Sequence, residues 1–459
     1  MESRCNQRPN GLYPDYTEDI NKIDSEGLSS EVIYSVKNKF DPCRIWMKKL
    51  YDRYRILPGG VSIFQRSAPR WQKVNNRLNN DYFSEIVTLK TGYFAGKPIS
   101  YTYSKQRLKD EPNVDYRQVM RSINRFLVKN AISDKDAEDT KMAAICGYSV
   151  RLLYIDPEGE IGVANVPPYE TVILSETEIS TPKYAFRFYN DAKGSVDFYD
   201  SDRRVRLEPG GRGYEIVDER PHMFPGCPMI GIPNNSELMG DAERVLSLID
   251  GYDNTISDAN SEIEDFRMAY MKVSGASIEP EELEAARQQG AFNLPDREAD
   301  ISFITKQIND TFVEHHLDRL SHNIYRFSQT PDLNDEAFSG NSSGVALKFK
   351  LMGLENKCAA FERKFSSASM YMWKMIAGVW STKGIHMNPY EMVLGFKRNV
   401  PLDMLYEAQT TAQLKGLVSE PTRLELLSFV DDVDYEQEMM ERESQGFMPP
   451  LASFEEEDE

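Results

Sequence analysis

The sequence predicts an α+β fold that is mainly helical, and three observations carry that expectation. Apolar residues recur at alternating steps of four and three along several stretches beyond residue 240, the period of a one-sided helix. Between 143 and 228 the text changes to short β-branched and aromatic runs. They are parted by turn clusters such as Asp156-Pro157-Glu158-Gly159 and Gly210-Gly211-Arg212-Gly213, the signature of an antiparallel sheet. The 459 residues, at roughly 150 per domain, hold enough chain for about three domains with sizeable cores.

The first 28 residues are polar and read as an irregular arm. Ser30 is placed to cap a helix over 31–40, and Asp41-Pro42 starts another that runs to Tyr54, a carboxylate cap before a proline at the first helical position. A helix over 79–91 is expected to break at Gly92 and Gly96, a strand to follow at 99–103, and an amphipathic helix at 116–131. Strands are expected at 148–155, 170–174, 185–189, 195–199 and 214–217.

Val245, Ile249, Tyr252, Ile256, Ala259, Ile263 and Phe266 form one stripe and predict a helix over 241–267. Val313, Leu317, Leu320, Ile324 and Phe327 form a second, opened by the capping box Thr311-x-x-Glu314. The insert between them, 268–310, reads strand (269–273), short helix (280–289), strand (300–305), so the picture is a helical hairpin with a small α/β module at its tip. A polar segment, 328–344, then feeds the longest helix, 345–380, whose stripe is Leu354, Cys358, Phe361, Phe365, Ala368, Met372, Met375 and Val379. Gly353 is a candidate kink within it. A strand at 392–396 and helices over 403–416, 420–427 and 434–444 complete the chain.

With 54 basic and 73 acidic side chains the formal charge is −19, which argues against a groove-binding nucleic-acid clamp. Residues 402–459 hold most of it, a net −13, ending in Glu455-Glu456-Glu457-Asp458-Glu459. Segment 241–267 is also acidic. Asp241, Glu243, Asp250, Asp253, Asp258, Glu262, Glu264 and Asp265 are offset only by Arg244 and Arg267, and a solvated or channel-facing surface is expected there. Five scattered cysteines in no C-x-x-C pair suit reduced thiols. No apolar run reaches the length of about 20 residues that crosses a bilayer, and Met1-Glu2-Ser3-Arg4-Cys5-Asn6 opens no signal peptide, so a soluble intracellular product with no membrane partner is expected.

Catalytic motifs are weak. Gly340-Asn341-Ser342-Ser343-Gly344 matches G-x-S-x-G, but polar text precedes it where a nucleophile elbow needs a buried strand. His315 and His322 share a helix face without metal-ligand spacing, and the acidic helix faces lack a compact D-x-D cluster. No enzyme, metal or cofactor is expected.

Three runs carry a family resemblance: Tyr93-Phe94-Ala95-Gly96-Lys97-Pro98-Ile99-Ser100-Tyr101, the long run from Ser328 to Lys357, and Phe429-Val430-Asp431-Asp432 followed by an acidic helix. They resemble the portal (head-to-tail connector) proteins of tailed double-stranded DNA bacteriophages, the branch common in phages of Gram-positive hosts, and the order of elements matches from about residue 30 to 445. The resemblance implies a portal fold of wing, stem, clip and crown. Its parts are an N-terminal arm (1–28), wing (29–240), stem helices (241–267 and 311–328) around a clip (268–310), a tunnel loop (329–344), a long wing helix and strand (345–401), a crown (402–446) and an acidic tail (447–459).

It implies a homododecameric ring at a capsid vertex of the virion, assembled in the host cytoplasm, through which double-stranded DNA is packaged and ejected. The partners it implies are the terminase large subunit, the major capsid and scaffolding proteins and a head-completion adaptor. Asn334, Asp335, Glu336, Phe338, Asn341, Ser342, Ser343, Lys348 and Lys350 are then candidates at the tunnel loop and channel. Asp253, Asp258, Glu262 and Asp265 are candidates for an acidic stem that centres the duplex by weak repulsion, and Glu281, Glu282, Arg287 and Gln288 for the docking face of the clip. A non-ring scaffolding or adaptor protein is the alternative, and a metal-dependent nuclease or a hydrolase using Ser342 a remote one.

Overall fold

A computed structural model of the protein describes residues 14–67, 74–104, 114–266, 270–274, 300–304, 310–334, 344–400, 404–427 and 433–446, and singly 279, 281, 284 and 430. The chain divides into two units, 1–398 and 399–459.

In the first unit, α1 (Thr17–Glu26) and α2 (Ser30–Tyr54) lead into α3 (Tyr82–Ala95), strand β1 (Ser100–Tyr103), α4 (Tyr116–Lys129) and α5 (Ile132–Cys146). Side-chain caps start three of these helices. Ser29 accepts from the Val32 amide, Asp81 from that of Ser84, and Asp115 from those of Arg117 and Gln118. Two sequence expectations fail here. The helix predicted to restart at Pro42 is one continuous α2, capped by Ser29 and not by Ser30 or Asp41, and α3 runs through Gly92 to end at Gly96. Burial of Val36, Phe40, Met47 and Leu50 along one face of α2 outweighs the hydrogen bond lost at the proline.

The expected sheet region is two sheets. Strands β2 (Tyr148–Ile155), β3 (Ile161–Val166) and β9 (Met229–Pro233) pair in the order β3-β2-β9. A five-stranded meander holds β4 (Thr171–Leu174), β5 (Tyr184–Phe188), β6 (Val196–Tyr199), β7 (Arg203–Gly210) and β8 (Gly213–Pro221). All the pairs are antiparallel. The three-stranded sheet is a partition between two cores. Tyr148, Val150, Val166 and Met229 face a core shared with α1, α2 and the meander, while Leu153, Ile161, Val163, Ile230 and Ile232 face a second core. Gly147, which joins α5 to β2, sits at φ +91°, and a Cβ there would lie 2.0 Å from the carbonyl oxygen of Leu238, so only glycine fits.

The second core is organised by one long helix, Gly344–Thr382. First come α6 (Leu246–Phe266), entered through a 3₁₀ turn at Glu243–Val245, the ribbon of β10 (Tyr270–Ser274) and β11 (Asp300–Ile304), and α7 (Asp310–Ser328). Helices α6 and α7 pack together, and β10 pairs antiparallel with β11, so the expected hairpin with a tip module is present. Helix α7 begins at Asp310, whose Oδ1 accepts from the Thr311 amide at 2.8 Å, so Thr311 lies inside the first turn and does not open a capping box. Helix α8 (Gly344–Thr382) then buries all eight residues of its predicted stripe, and β12 (Met392–Gly395) pairs with β1. The second unit contains α9 (Met404–Gln413), α10 (Glu420–Glu425) and α11 (Val433–Gly446).

Among the described residues no helix is long and apolar enough to cross a membrane. Cys43, Cys146, Cys227 and Cys358 are free thiols, and burial pushes those of Cys227 and Cys358 up to about 12 and about 11.

Candidate functional site

The hairpin is braced along the middle of α6 by an extended strap, residues 74–80. The buried side of α6 there is polar. Asp253, Ser257 and Ser261, one helical turn apart, are each about 1% exposed or less. Asp253 Oδ1 accepts from the Asn80 amide (2.8 Å), Ser257 Oγ from the Leu78 amide (2.9 Å) and Ser261 Oγ from the Asn76 amide (3.0 Å). Alternate residues of the strap thus meet every fourth residue of the helix, and three backbone donors that lack a strand partner are satisfied. The apolar stripe on α6 predicted that Tyr252, Ile256 and Ile263 would mark the buried side, but Ile263 is 55% exposed. The reason is chemical: an extended segment without a sheet neighbour needs acceptors beside it, and the polar row supplies them.

Removing the middle acceptor is a direct test. Ser257→Ala removes the acceptor of the part-buried Leu78 amide, and a cost of about 1 kcal/mol is expected. Hydrogen exchange read by mass spectrometry should show faster exchange in a peptide covering 74–80. Unchanged protection would contradict the strap's role.

Aromatic contacts add a second brace. Tyr82 on α3 lies 5.1 Å from Tyr252 on α6 and 5.7 Å from Tyr325 on α7, ring centre to ring centre, and Tyr325 donates to the Glu85 carboxylate at 3.0 Å.

The acidic groups of 241–267 are largely matched inside the chain; of the expected solvated or channel-facing surface, Asp258 and Glu264 are exposed and Asp253 is not. Asp250 pairs with Arg53 at 2.7 Å, Asp258 pairs with Arg66, and Glu264 accepts from Asn76 Nδ2 at 2.9 Å. Asp253 is buried in the strap, not facing solvent or a channel, and burial pushes its carboxyl up against the opposing hydrogen bonds from Asn80. Asp258 is half exposed, Glu262 half-buried, and the side chain of Asp265 lies outside the described ones. Phe327, expected to close the α7 stripe against the core, is exposed.

Sequence reasoning missed the junction where α3, the entry to α6, the end of α7 and α8 meet. Asp241 Oδ2 accepts from Lys90 (2.8 Å), its Oδ1 from Lys357 (2.7 Å), and the same Lys357 donates to the Ser328 carbonyl (2.8 Å). Lys90, 1% exposed, also donates to Asn234 Oδ1 and lies 4.6 Å from the Phe361 ring centre. Burial alone would raise the Asp241 carboxyl, but the ammonium groups of Lys357 and Lys90 outweigh it and hold it down at about 2. The four residues stand at 90, 234, 241 and 357, so no local motif could reveal them. The buried lysine in an otherwise apolar stretch of α3 (Ile86, Val87, Phe94) was the available signal.

A second buried network lies on the far face of β2. Arg151 Nε donates to Asp139 (2.9 Å), its Nη2 to Asp136 (2.7 Å), and Tyr101 Oη donates to Asp136 (2.9 Å).

Of the other candidate residues, Asn334 is exposed and its amide donates to Asp332 Oδ1. Lys348 is exposed and Lys350 half-buried on the first turns of α8. Glu281 is exposed with helical backbone. Asp335, Glu336, Phe338, Asn341, Ser342, Ser343, Glu282, Arg287 and Gln288 lie outside the described residues. Among the described residues no group of three or more His, Cys, Asp or Glu side chains is arranged to hold a metal.

A family model described as "Phage portal protein, SPP1 Gp6-like" matches residues 44–448. Among curated proteins, the portal protein of Bacillus phage SPP1 is 22% identical over 483 residues, covering 94% of this chain and 92% of its own length. The portal protein of Clostridium phage phiCD119 is 24% identical over 423 residues, covering 84% and 88%.

Proposed function

Since the chain belongs to the SPP1 Gp6-like family of phage portal proteins, we propose that twelve copies form a ring at one capsid vertex, around a channel for packaging and ejecting double-stranded DNA. In this reading α6 and α7 are the stem, 268–310 is the clip, 329–344 the tunnel loop, 345–401 the long wing helix and strand behind it, 29–240 the wing and 402–446 the crown. Residues 1–28 and 447–459 are the N-terminal arm and the acidic tail. The terminase large subunit docks on the clip through Glu281, Glu282, Arg287 and Gln288 and hydrolyses the ATP. A head-completion adaptor later takes its place, and major capsid and scaffolding proteins surround the wing. Assembly takes place in the host cytoplasm. Portal proteins are structural components of the virion capsid, and the chain's part is to shape a passage.

The observation that carries the ring is apolar surface that a single chain leaves in water. Ile263 on α6, Phe327 on α7, and Phe349 and Met352 on the first turns of α8 are each more than half exposed, and all lie on the hairpin or on the helix that follows it. Apolar groups gathered on such elements suit burial against neighbouring copies. The internal pairing of the hairpin's acids fits a channel wall as well, because a wall near neutrality neither grips nor strongly repels a sliding duplex. Asp258, Glu262 and Asp265, with Lys348, Lys350 and the loop residues from Asn334 to Ser343, are the groups placed nearest the DNA. Electron microscopy of the purified protein is expected to show rings with a central hole, and a purely monomeric species under assembly conditions would remove the proposal. Deleting 334–343 is expected to abolish most DNA packaging while rings still form. Normal packaging by the deletion variant would refute the tunnel-loop assignment.

A further inference from the structure

The junction at Asp241 encloses more positive charge than it balances. A cavity of about 220 Å³ opens there, and its walls include the cations Lys90, Lys357 and Arg244 but one carboxylate, Asp241. Both oxygens of that carboxylate already accept from the two lysines. The next acid along the chain, Glu243, is outside the lining, its carboxylate accepting from Trp46 Nε1 at 2.6 Å and from the amide of Gly240 at the cavity wall. Among the described residues Arg244 makes no ion pair, so it stands exposed at the cavity with its guanidinium donors unused. Lys357 donates to Asp241 and to the Ser328 carbonyl, which leaves one of its three N–H groups.

Two amides complete the lining. The side chains of Gln329 and Asn356 face the same cavity and make no hydrogen bond among the described residues. Gln329 is held in place despite a left-handed backbone, φ 56°, by close seating on α8. A Cβ at Gly353 would stand 3.4 Å from its carbonyl oxygen, an ordinary contact distance, so this turn lies directly against the helix.

We propose that this cavity is an oxyanion site that takes a phosphate group. The phosphate lies between the Arg244 guanidinium and the remaining N–H of Lys357, with Asn356 and Gln329 donating to its other oxygens. A dianion there cancels a surplus of two positive charges, and a planar guanidinium on the rim supplies paired donors matched to two phosphate oxygens. The depressed Asp241 carboxyl reports the same positive potential. A phosphate of this kind reaches the site either as the free ion or as part of a nucleic-acid backbone.

The test is calorimetric titration of the full-length protein with inorganic phosphate, against chloride at matched ionic strength. Saturable binding of one phosphate per chain is expected. Arg244→Ala, at an exposed position that leaves the buried pairs intact, is expected to weaken it by about tenfold or more, and Asn356→Ala by less. A short DNA duplex that competes with the phosphate identifies the backbone as the source, and one that leaves the affinity unchanged identifies the free ion. Either result upholds the site. No saturable heat beyond that of chloride, or an unchanged affinity in Arg244→Ala, overturns it. Electron microscopy of the same preparations keeps this outcome separate from that of the ring, since a ring without phosphate binding removes only the site.

Discussion

Replacing Asp241 with alanine is expected to destabilise the fold by about 3–5 kcal/mol, because it leaves the Lys90 ammonium buried without its counter-charge. Lys90 is held away from the surface. It is 1% exposed, under the face of Phe361, with Asn234 as its remaining partner. Lys357 is closer to solvent at 15% side-chain exposure and adapts more easily. The expected result is a large fall in urea midpoint at fixed protein concentration. The double variant Asp241→Ala with Lys90→Met should recover more than half of it, since apolar replacement of a buried pair is often near neutral. A double variant no better than the single one would show that packing, not charge, holds the junction. The wild type carries a matching acid signature. The folded carboxyl titrates at about 2, below its ordinary value of 3.8, so this contribution is fully present above pH 4 and is lost as pH falls toward 2.

Arg151→Met should be as severe at neutral pH, about 3–5 kcal/mol, since it strands two buried carboxylates, Asp136 and Asp139. Its pH dependence runs the other way. Even beside the arginine, burial pushes Asp139 up to about 6 and Asp136 upward. A carboxyl raised in the folded state binds its proton more tightly there than in the unfolded chain, so stability rises as pH falls from 7 through 6 toward 4. Without Arg151 both carboxyls move further up and this gain grows. The variant should therefore regain a substantial part of its lost stability between pH 7 and pH 5, measured by urea midpoints at the two values. A deficit independent of pH would mean that the lost packing against Phe365 and Met372 matters more than charge.

Which parts of this architecture were legible follows from what local text encodes. The α8 stripe was read without error because that helix is buried along one face by apolar side chains, the case that periodicity detects. Helix α5 was missed because its buried positions include Asp136, Asp139 and Thr140, which read as a solvated face. On α6 the same confusion recurs, since Asp253, Ser257 and Ser261 form a buried row, and it is joined by its converse, the exposed Ile263. Strands β3, β7 and β9 escaped notice because their runs are interrupted by glycine or arginine, and β9 pairs with β2 across most of the sheet region. The junction and the Arg151 network join residues far apart in the chain, and a single sequence carries no trace of such pairings. The hairpin, the antiparallel region and the family were visible. The groups that hold them together were not.

The strap along α6 has a mechanical consequence. Four residues of helix advance about 6.0 Å and two residues of strand about 6.6 Å, so successive rungs fall out of step by about 0.6 Å. Centred on Ser257, three rungs keep the outer two within reach of short side chains, while a longer ladder would drift past it. A force along the helix axis loads these three bonds in parallel, as shear. They must yield together, whereas a sideways pull would peel them one by one. Helix α6 is therefore stiffest along its own length, which in the proposed ring is the direction in which a duplex driven past it would drag.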